Sequence, residues 1–90
     1  MTHIIIYDFT TKSGLRDQVV ESFQIMENVA GLNSYDLYKK QDDESRLTCV
    51  EHWESEQAHE DFLASFSLEQ ITQFESMFSV KPEAKVYAAA

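Results

Sequence analysis

A single cysteine, Cys49, cannot close a disulfide within the chain, so nothing in its thiol content asks for an oxidising compartment. Only two glycines, Gly14 and Gly31, are present, too few for a Gly-rich loop that cradles phosphate. The lone proline, Pro82, leaves one strong stop for helical structure. No stretch approaches the roughly 20 apolar residues of a spanning helix. The opening segment 1–9 carries Asp8 and no small-residue cleavage site, and it is too short for a signal region with its flanks. Basic residues are also scarce, seven against sixteen acidic ones, for a formal net charge of −9. Phosphate backbones and anionic lipid surfaces both require Lys and Arg, so neither nucleic acid nor a membrane is an expected partner. The expected location is cytoplasmic.

What the chain does have is apolar material: 43% of its 90 residues are hydrophobic and 12% aromatic. With no linker, repeat or low-complexity segment, residues 1–90 read as one domain. A domain this small buries only about 60–65% of the surface its unfolded form exposes, and the surplus apolar surface favours a second copy as its cover.

His3 to Phe9 reads HIIIYDF, a run of β-branched and aromatic residues that predicts a strand apolar on both faces. His3, Ile5, Tyr7 and Phe9 share one face; Ile4, Ile6 and Asp8 share the other. A turn over 10–14 leads to a first helix, with Ser13 as its expected cap and Leu15, Val19, Phe23 and Met26 on its apolar stripe. Gly31 is its expected stop. Strands over 34–40 and 46–53 flank the polar connection 41–45 and predict an antiparallel hairpin. Ser55 caps a second helix with Ala58, Phe62 and Phe66 on one stripe. Ser67 followed by Gln70 is a capping-box signature for a further helix carrying Leu68, Ile71, Phe74, Met77 and Phe78. Residues 84–88 complete the pattern as a short strand.

The order βαββαβ predicts an α+β fold of the ferredoxin-like type: one four-stranded antiparallel sheet with the helices on one face. The opposite face would be bare in a single chain. Because the first strand is apolar on both sides, and Tyr38 and Val50 add to the uncovered side, that face predicts a homodimer.

The segment Val50-Glu51-His52-Trp53-Glu54-Ser55-Glu56-Gln57-Ala58, continuing to Phe62-Leu63-Ala64-Ser65, resembles the antibiotic biosynthesis monooxygenase domain family, whose pattern here is E-x-W-x-S/D-x-x-A followed by an amphipathic helix. Lys12-Ser13-Gly14 resembles the turn before its first helix, and the order of elements agrees over nearly the whole chain. The resemblance implies paired ferredoxin-like domains forming a dimeric α+β barrel, with a cleft between sheet and helices. It also implies oxygenation of anthrone- or quinol-like aromatics without metal or flavin. The family often carries a histidine just before the helix leucine, where this chain has Phe62. A haem-degrading branch uses an Asn, a Trp and a His at positions matching Tyr7, Phe62 and Thr72; none of these carries the required group, which argues against haem degradation.

Oxygenation without a cofactor needs a base, donors for the resulting anion, and a dry pocket. His3 and Tyr7 share a strand face and are the candidate catalytic residues; an imidazole suits a base and a phenol suits a donor. Tyr7, Trp53, Phe62 and Phe66 are the candidate substrate-binding residues. Each also has an ordinary structural reading, a solvated terminus for His3 and core aromatics for the rest. His52 faces away from Trp53 and is expected on the dimer side, and His59 is expected on a solvated helix surface. No metal site is expected, since His52 and His59 lack ligand spacing and Cys49 has no second thiol. The expected activity is thus a cofactor-independent monooxygenase that takes a small aromatic molecule and molecular oxygen. The alternatives are a non-catalytic dimeric module binding a small hydrophobic ligand or a protein, and a lyase or isomerase on the same scaffold.

Overall fold

Alternation of apolar and polar side chains at a period of two, broken by three helical segments, organises the chain into a single sheet with a helical layer. A computed structural model describes residues 2–90. Its strands are β1 (His3–Thr10), β2 (Leu32–Lys39), β3 (Arg46–Trp53) and β4 (Glu83–Ala88). Its helices are α1 (Arg16–Ser22), α2 (Glu56–Ala64) and α3 (Leu68–Glu75). The sheet order is β2-β3-β1-β4 with every pairing antiparallel, the expected ferredoxin-like arrangement. No helix among the described residues is long and apolar enough to cross a membrane.

β3 shows the pattern most cleanly: Leu47, Cys49, Glu51 and Trp53 are buried, and Arg46, Thr48, Val50 and His52 are partly exposed. Its register pairs Tyr7 with Cys49 and Ile5 with Glu51, which puts the His3–Ile5–Tyr7–Phe9 row on the same, helix-covered face. Ile4, Ile6, Val50 and His52 fall on the opposite face, with Tyr38 and Tyr87 exposed beside them.

Two differences from expectation lie around α1. Ser13 is not its cap: the helix begins at Arg16, with Leu15 as a capping residue that makes no side-chain bond. After Ser22 the chain tightens into a 3-10 turn, Phe23–Met26, which buries both of its end residues. Their i, i+3 spacing suits a three-residue turn better than the wider α-helical one. Gly31 is not the helix stop. It opens β2, at φ 82°, and Asn28 takes the left-handed conformation nearer the helical end, at φ 65°. β2 accordingly starts two residues earlier than expected and carries an irregularity between Leu32 and Ser34. The two sequence-read caps further on are present: the Ser55 hydroxyl accepts from the Ala58 amide at 3.1 Å, and Ser67 and Gln70 form the reciprocal capping box of α3.

The space between helices and sheet divides in two. At the Phe9 end, Phe9, Phe23, Phe74 and Phe78 interlock with ring centroids 5.0–6.2 Å apart. Such aromatic pairs add about 0.5–1.5 kcal/mol each beyond their area burial, so this end is a closed apolar core. At the His3 end the filling is polar.

Candidate functional site

The row of β1 side chains leads from the closed core to the polar end. Tyr7 stacks on Phe9 at 5.7 Å and points its hydroxyl at α2. There the Tyr7 Oη lies 2.9 Å from His59 Nε2. His59 is buried, at 8% exposure, which corrects its expected place on a solvated surface. It lies three residues before Phe62, and residues so spaced on a helix share a face. The imidazole and Phe62 both pack over Trp53, with centroids 5.2 and 5.4 Å away. The site therefore has an imidazole on α2 although the position before Leu63 is occupied by Phe62. His3, paired opposite Trp53 on the neighbouring strand, is half-buried with its ring 6.2 Å from that of His59.

Beneath these rings lies a buried carboxylate. Glu51, 4% exposed, accepts from Trp53 Nε1 at 2.8 Å through Oε1, and Oε2 accepts from the Cys49 thiol at 3.6 Å. Both donors stand two residues away on the same strand face. The Glu-x-Trp pair thus has a physical purpose: the strand period delivers the indole N–H to the carboxylate, so neither buried polar group is left unpaired. From sequence Glu51 is legible as the acidic residue of the E-x-W pattern but not as a site residue. The signal was available, an acidic residue in phase with Leu47, Cys49 and Trp53.

Burial governs the ionisation of the cluster. It pushes the Tyr7 phenol well above its ordinary value, with the Glu51 carboxylate adding to the effect and the Cys49 thiol contributing least. Cys49 is pushed up by burial and by Glu51, so it remains an inert thiol. Glu51 itself is raised by burial, and the indole and thiol bonds partly offset this. His59 is lowered, first by burial and then by the neighbouring His3. At neutral pH the pair is a phenol and a neutral imidazole, so the phenol O–H donates to Nε2 or an Nε2–H donates to the phenol oxygen. Only the first arrangement, with Nε2 unprotonated, lets the phenol pass its proton to the imidazole.

The expected binding aromatics separate by location. Trp53 is fully buried. Phe62 and Phe66 are half-buried and meet edge to face at 4.9 Å, forming a wall that continues from Trp53 toward solvent. On the other side β4 has little helical cover: Val86, in register with Ile5, is 62% exposed, and Ala84 and Ala88 beside Tyr7 and His3 are exposed. His3, Tyr7, Trp53, Phe62 and Phe66 thus gather at one end of the domain, whereas His52 lies on the opposite face. Two open depressions lie elsewhere. One, of about 600 Å³, is at the 39–44 hairpin beside Arg16, and one of about 260 Å³ is beside Met26 and Tyr35. Among the described residues no cluster of three or more His, Cys, Asp or Glu side chains is arranged to hold a metal ion.

Comparison with known proteins bears on this arrangement. Residues 2–76 match the family model for antibiotic biosynthesis monooxygenases. The chain belongs to that family. Among solved structures, the fold is similar to Rv0793 from Mycobacterium tuberculosis, at 22% identity and a TM-score of 0.81, covering 100% of this chain and 96% of that one. It is also similar to SnoaB, a cofactor-independent oxygenase from Streptomyces nogalater, at 15% identity and a TM-score of 0.80, covering 98% and 92%. A conserved protein from Methanosarcina mazei Go1 gives 14% identity and a TM-score of 0.81, covering 97% and 91%. At these identities the likeness is one of fold. A comparison with curated proteins finds no match. For this member of the antibiotic biosynthesis monooxygenase family, the Glu51-to-Leu63 stretch places Trp53 and the α2 face opposite β1.

Proposed function

We propose that the protein is a cofactor-independent monooxygenase of a small, quinol- or anthrone-like aromatic, acting at the open end of the helix–sheet space. The observation that carries this reading is the 2.9 Å Tyr7–His59 pair set against the Trp53 and Phe62 rings. Cofactor-independent oxygenation by SnoaB, which shares the fold, is consistent with it.

The chemistry starts with loss of a proton from the substrate. An acidic C–H beside a carbonyl, or a phenolic O–H, gives its proton toward Tyr7, whose own proton moves to His59 Nε2. The raised phenol keeps Tyr7 a relay rather than a standing anion, and the lowered imidazole keeps His59 ready to accept. The substrate anion then passes one electron to molecular oxygen, the resulting radical pair combines into a peroxide anion, and the proton held on His59 returns through Tyr7 to make it a hydroperoxide. Loss of water turns the hydroperoxide carbon into a carbonyl. One oxygen atom enters the product, the other leaves as water, and the substrate supplies all the electrons. Phe62 and Phe66 act as the apolar wall along which a ring system lies, Trp53 backs the pair, and His3 flanks His59 at the rim.

Residues 1–90 act as one cytoplasmic domain in this reading, and two copies join through the uncovered sheet face. Ile4, Ile6 and Val50 supply its apolar centre, with Tyr38 and Tyr87, 56% and 49% exposed, at its edges.

The test is oxygen uptake by metal-depleted protein over a panel of anthrones and naphthohydroquinones, with isotopically labelled oxygen. Uptake with one labelled atom in the product supports the reading. Absence of uptake over the whole panel contradicts it. A ligand that then raises the melting temperature without turnover would favour the non-catalytic binding module.

A further inference from the structure

We infer that Glu51 makes the site select uncharged aromatics and reject those bearing a carboxylate, phosphate or other fixed negative charge; this rests on the aromatic substrate proposed above. The argument is one of placement. Glu51 lies diagonally across the β1–β3 pair from Tyr7 on the same face, with the two direct partners being Ile5 and Cys49. Diagonal neighbours of this kind stand about 7–8 Å apart. A substrate hydroxyl held at Tyr7 therefore keeps an aromatic molecule within about one ring system of a buried carboxylate.

Among the described residues no Lys or Arg offsets it. Arg16, Lys39 and Lys40 gather at the hairpin end, where Arg16 donates to the Asp43 carbonyl and Lys39 faces Asp17 at 3.7 Å. Arg46 and Lys85 pair with Thr10 and Ile6 and so project from the opposite sheet face. Lys12 and Lys81 belong to segments bonded near Met77 and Thr10, at the closed Phe9 end. The groups that do face the site are Glu51, Cys49, Tyr7, His59 and His3, and the exposed charged residues of α2 are all acidic: Glu56, Glu60 and Asp61. An anion entering here meets a second negative charge in a partly solvated space, with no guanidinium or lysine ammonium among the described residues to pair with it. The phenol-to-imidazole relay avoids the same penalty for the reacting hydroxyl, because its negative charge appears only as His59 gains a positive one.

A matched pair of probes tests this: 6-hydroxy-2-naphthoate and its primary amide, alike in shape and differing in charge. Their binding to the full chain is measured by calorimetry near pH 8, where imidazoles are ordinarily neutral. The amide is expected to bind about tenfold more tightly or better, the effect of one like charge at about 12 Å in a partly solvated site, since the carboxylate stands across the naphthalene from the hydroxyl held at Tyr7. The gap is expected to persist in about 0.5 M salt, which screens the general −9 field but not a buried neighbour. In Glu51→Gln, which keeps an acceptor for the Trp53 indole, the gap should shrink to about threefold or less. Equal binding of the two probes by the wild-type protein, collapse of the gap in salt, or an unchanged gap in the variant each overturns the inference alone. The salt comparison needs no variant, so a poorly folding Glu51→Gln does not rescue the idea. If neither probe binds, the aromatic substrate itself is wrong and this inference falls with it.

Discussion

At the scale of single residues, the account turns on groups whose protonation is set by burial. His59 must be neutral to accept a proton, and burial lowers it from 6.5. The acid limb of kcat/KM should therefore lie below pH 6.5, and a limb above that value would argue against His59 as the acceptor. The same shifts act on stability, with opposite signs. As pH falls below 6.5 the unfolded chain takes up a proton that folded His59 refuses, so its contribution is full above 6.5 and is lost downward to the lowered folded value. Glu51, raised by burial, holds its proton more tightly when folded, so stability is lost as pH rises from 4.5 through its raised value. Urea unfolding of Glu51→Gln relative to wild type should show a difference that moves in the variant's favour as pH rises through that window. A difference independent of pH would mean that Glu51 does not titrate as the buried carboxylate it is. Trp53→Phe removes the indole N–H and leaves Glu51 short of its shorter hydrogen bond; a loss of about 1.5–3 kcal/mol in the same assay is expected.

At the scale of elements, the strands were more legible than the helices. β3 has the bounds read from its alternation, because one face is wholly buried and the period of two admits no slippage. The first helix is shorter at both ends than its stripe suggests, since Leu15, Val19, Phe23, Met26 fits both an α-helix and an α-helix that tightens into a 3-10 turn. On α2 the stripe Ala58, Phe62, Phe66 follows spacings of four, whereas His59 joins the same face through the equally valid spacing of three back from Phe62. The role of Glu51 is hidden for a different reason: a buried carboxylate runs against composition rules, and only the hydrogen bonds from Trp53 and Cys49 make it tolerable. Gly31 couples two elements. A Cβ added there, at φ 82°, would meet the Ala58 Cβ at 2.5 Å. Gly31→Ala must therefore strain β2 and push on the first turn of α2, one residue from His59. We expect it to destabilise the domain by more than ~1 kcal/mol and to lower kcat together with stability. Unchanged stability would show that α2 can shift freely, and the positioning of His59 would need another cause. Ser67→Ala, on the exposed capping box of α3, should cost about 1 kcal/mol and leave the turnover of the folded protein unchanged.

At the scale of the whole molecule, the two sheet faces have different tasks. One carries the closed aromatic core and the polar site. The other, with Ile4, Ile6 and Val50 at its centre and apolar tyrosine edges, is proposed to meet its twin. Ile6→Asp places a charge in the middle of that face next to Asp8 and Lys85 and away from the site. Sedimentation should find dimers for the wild type and single chains for the variant. Single chains for the wild type would contradict the pairing.

The central claim is that Tyr7 and His59 together remove the substrate proton that starts oxygen chemistry. It is tested most directly by steady-state oxygen uptake for wild type, Tyr7→Phe and His59→Gln on whichever anthrone or quinol the wild type consumes best. The account predicts a fall in kcat of about 10²–10⁴ for each variant, with the double variant no worse than either, because the two groups act as one relay. Wild-type turnover in either single variant would contradict it.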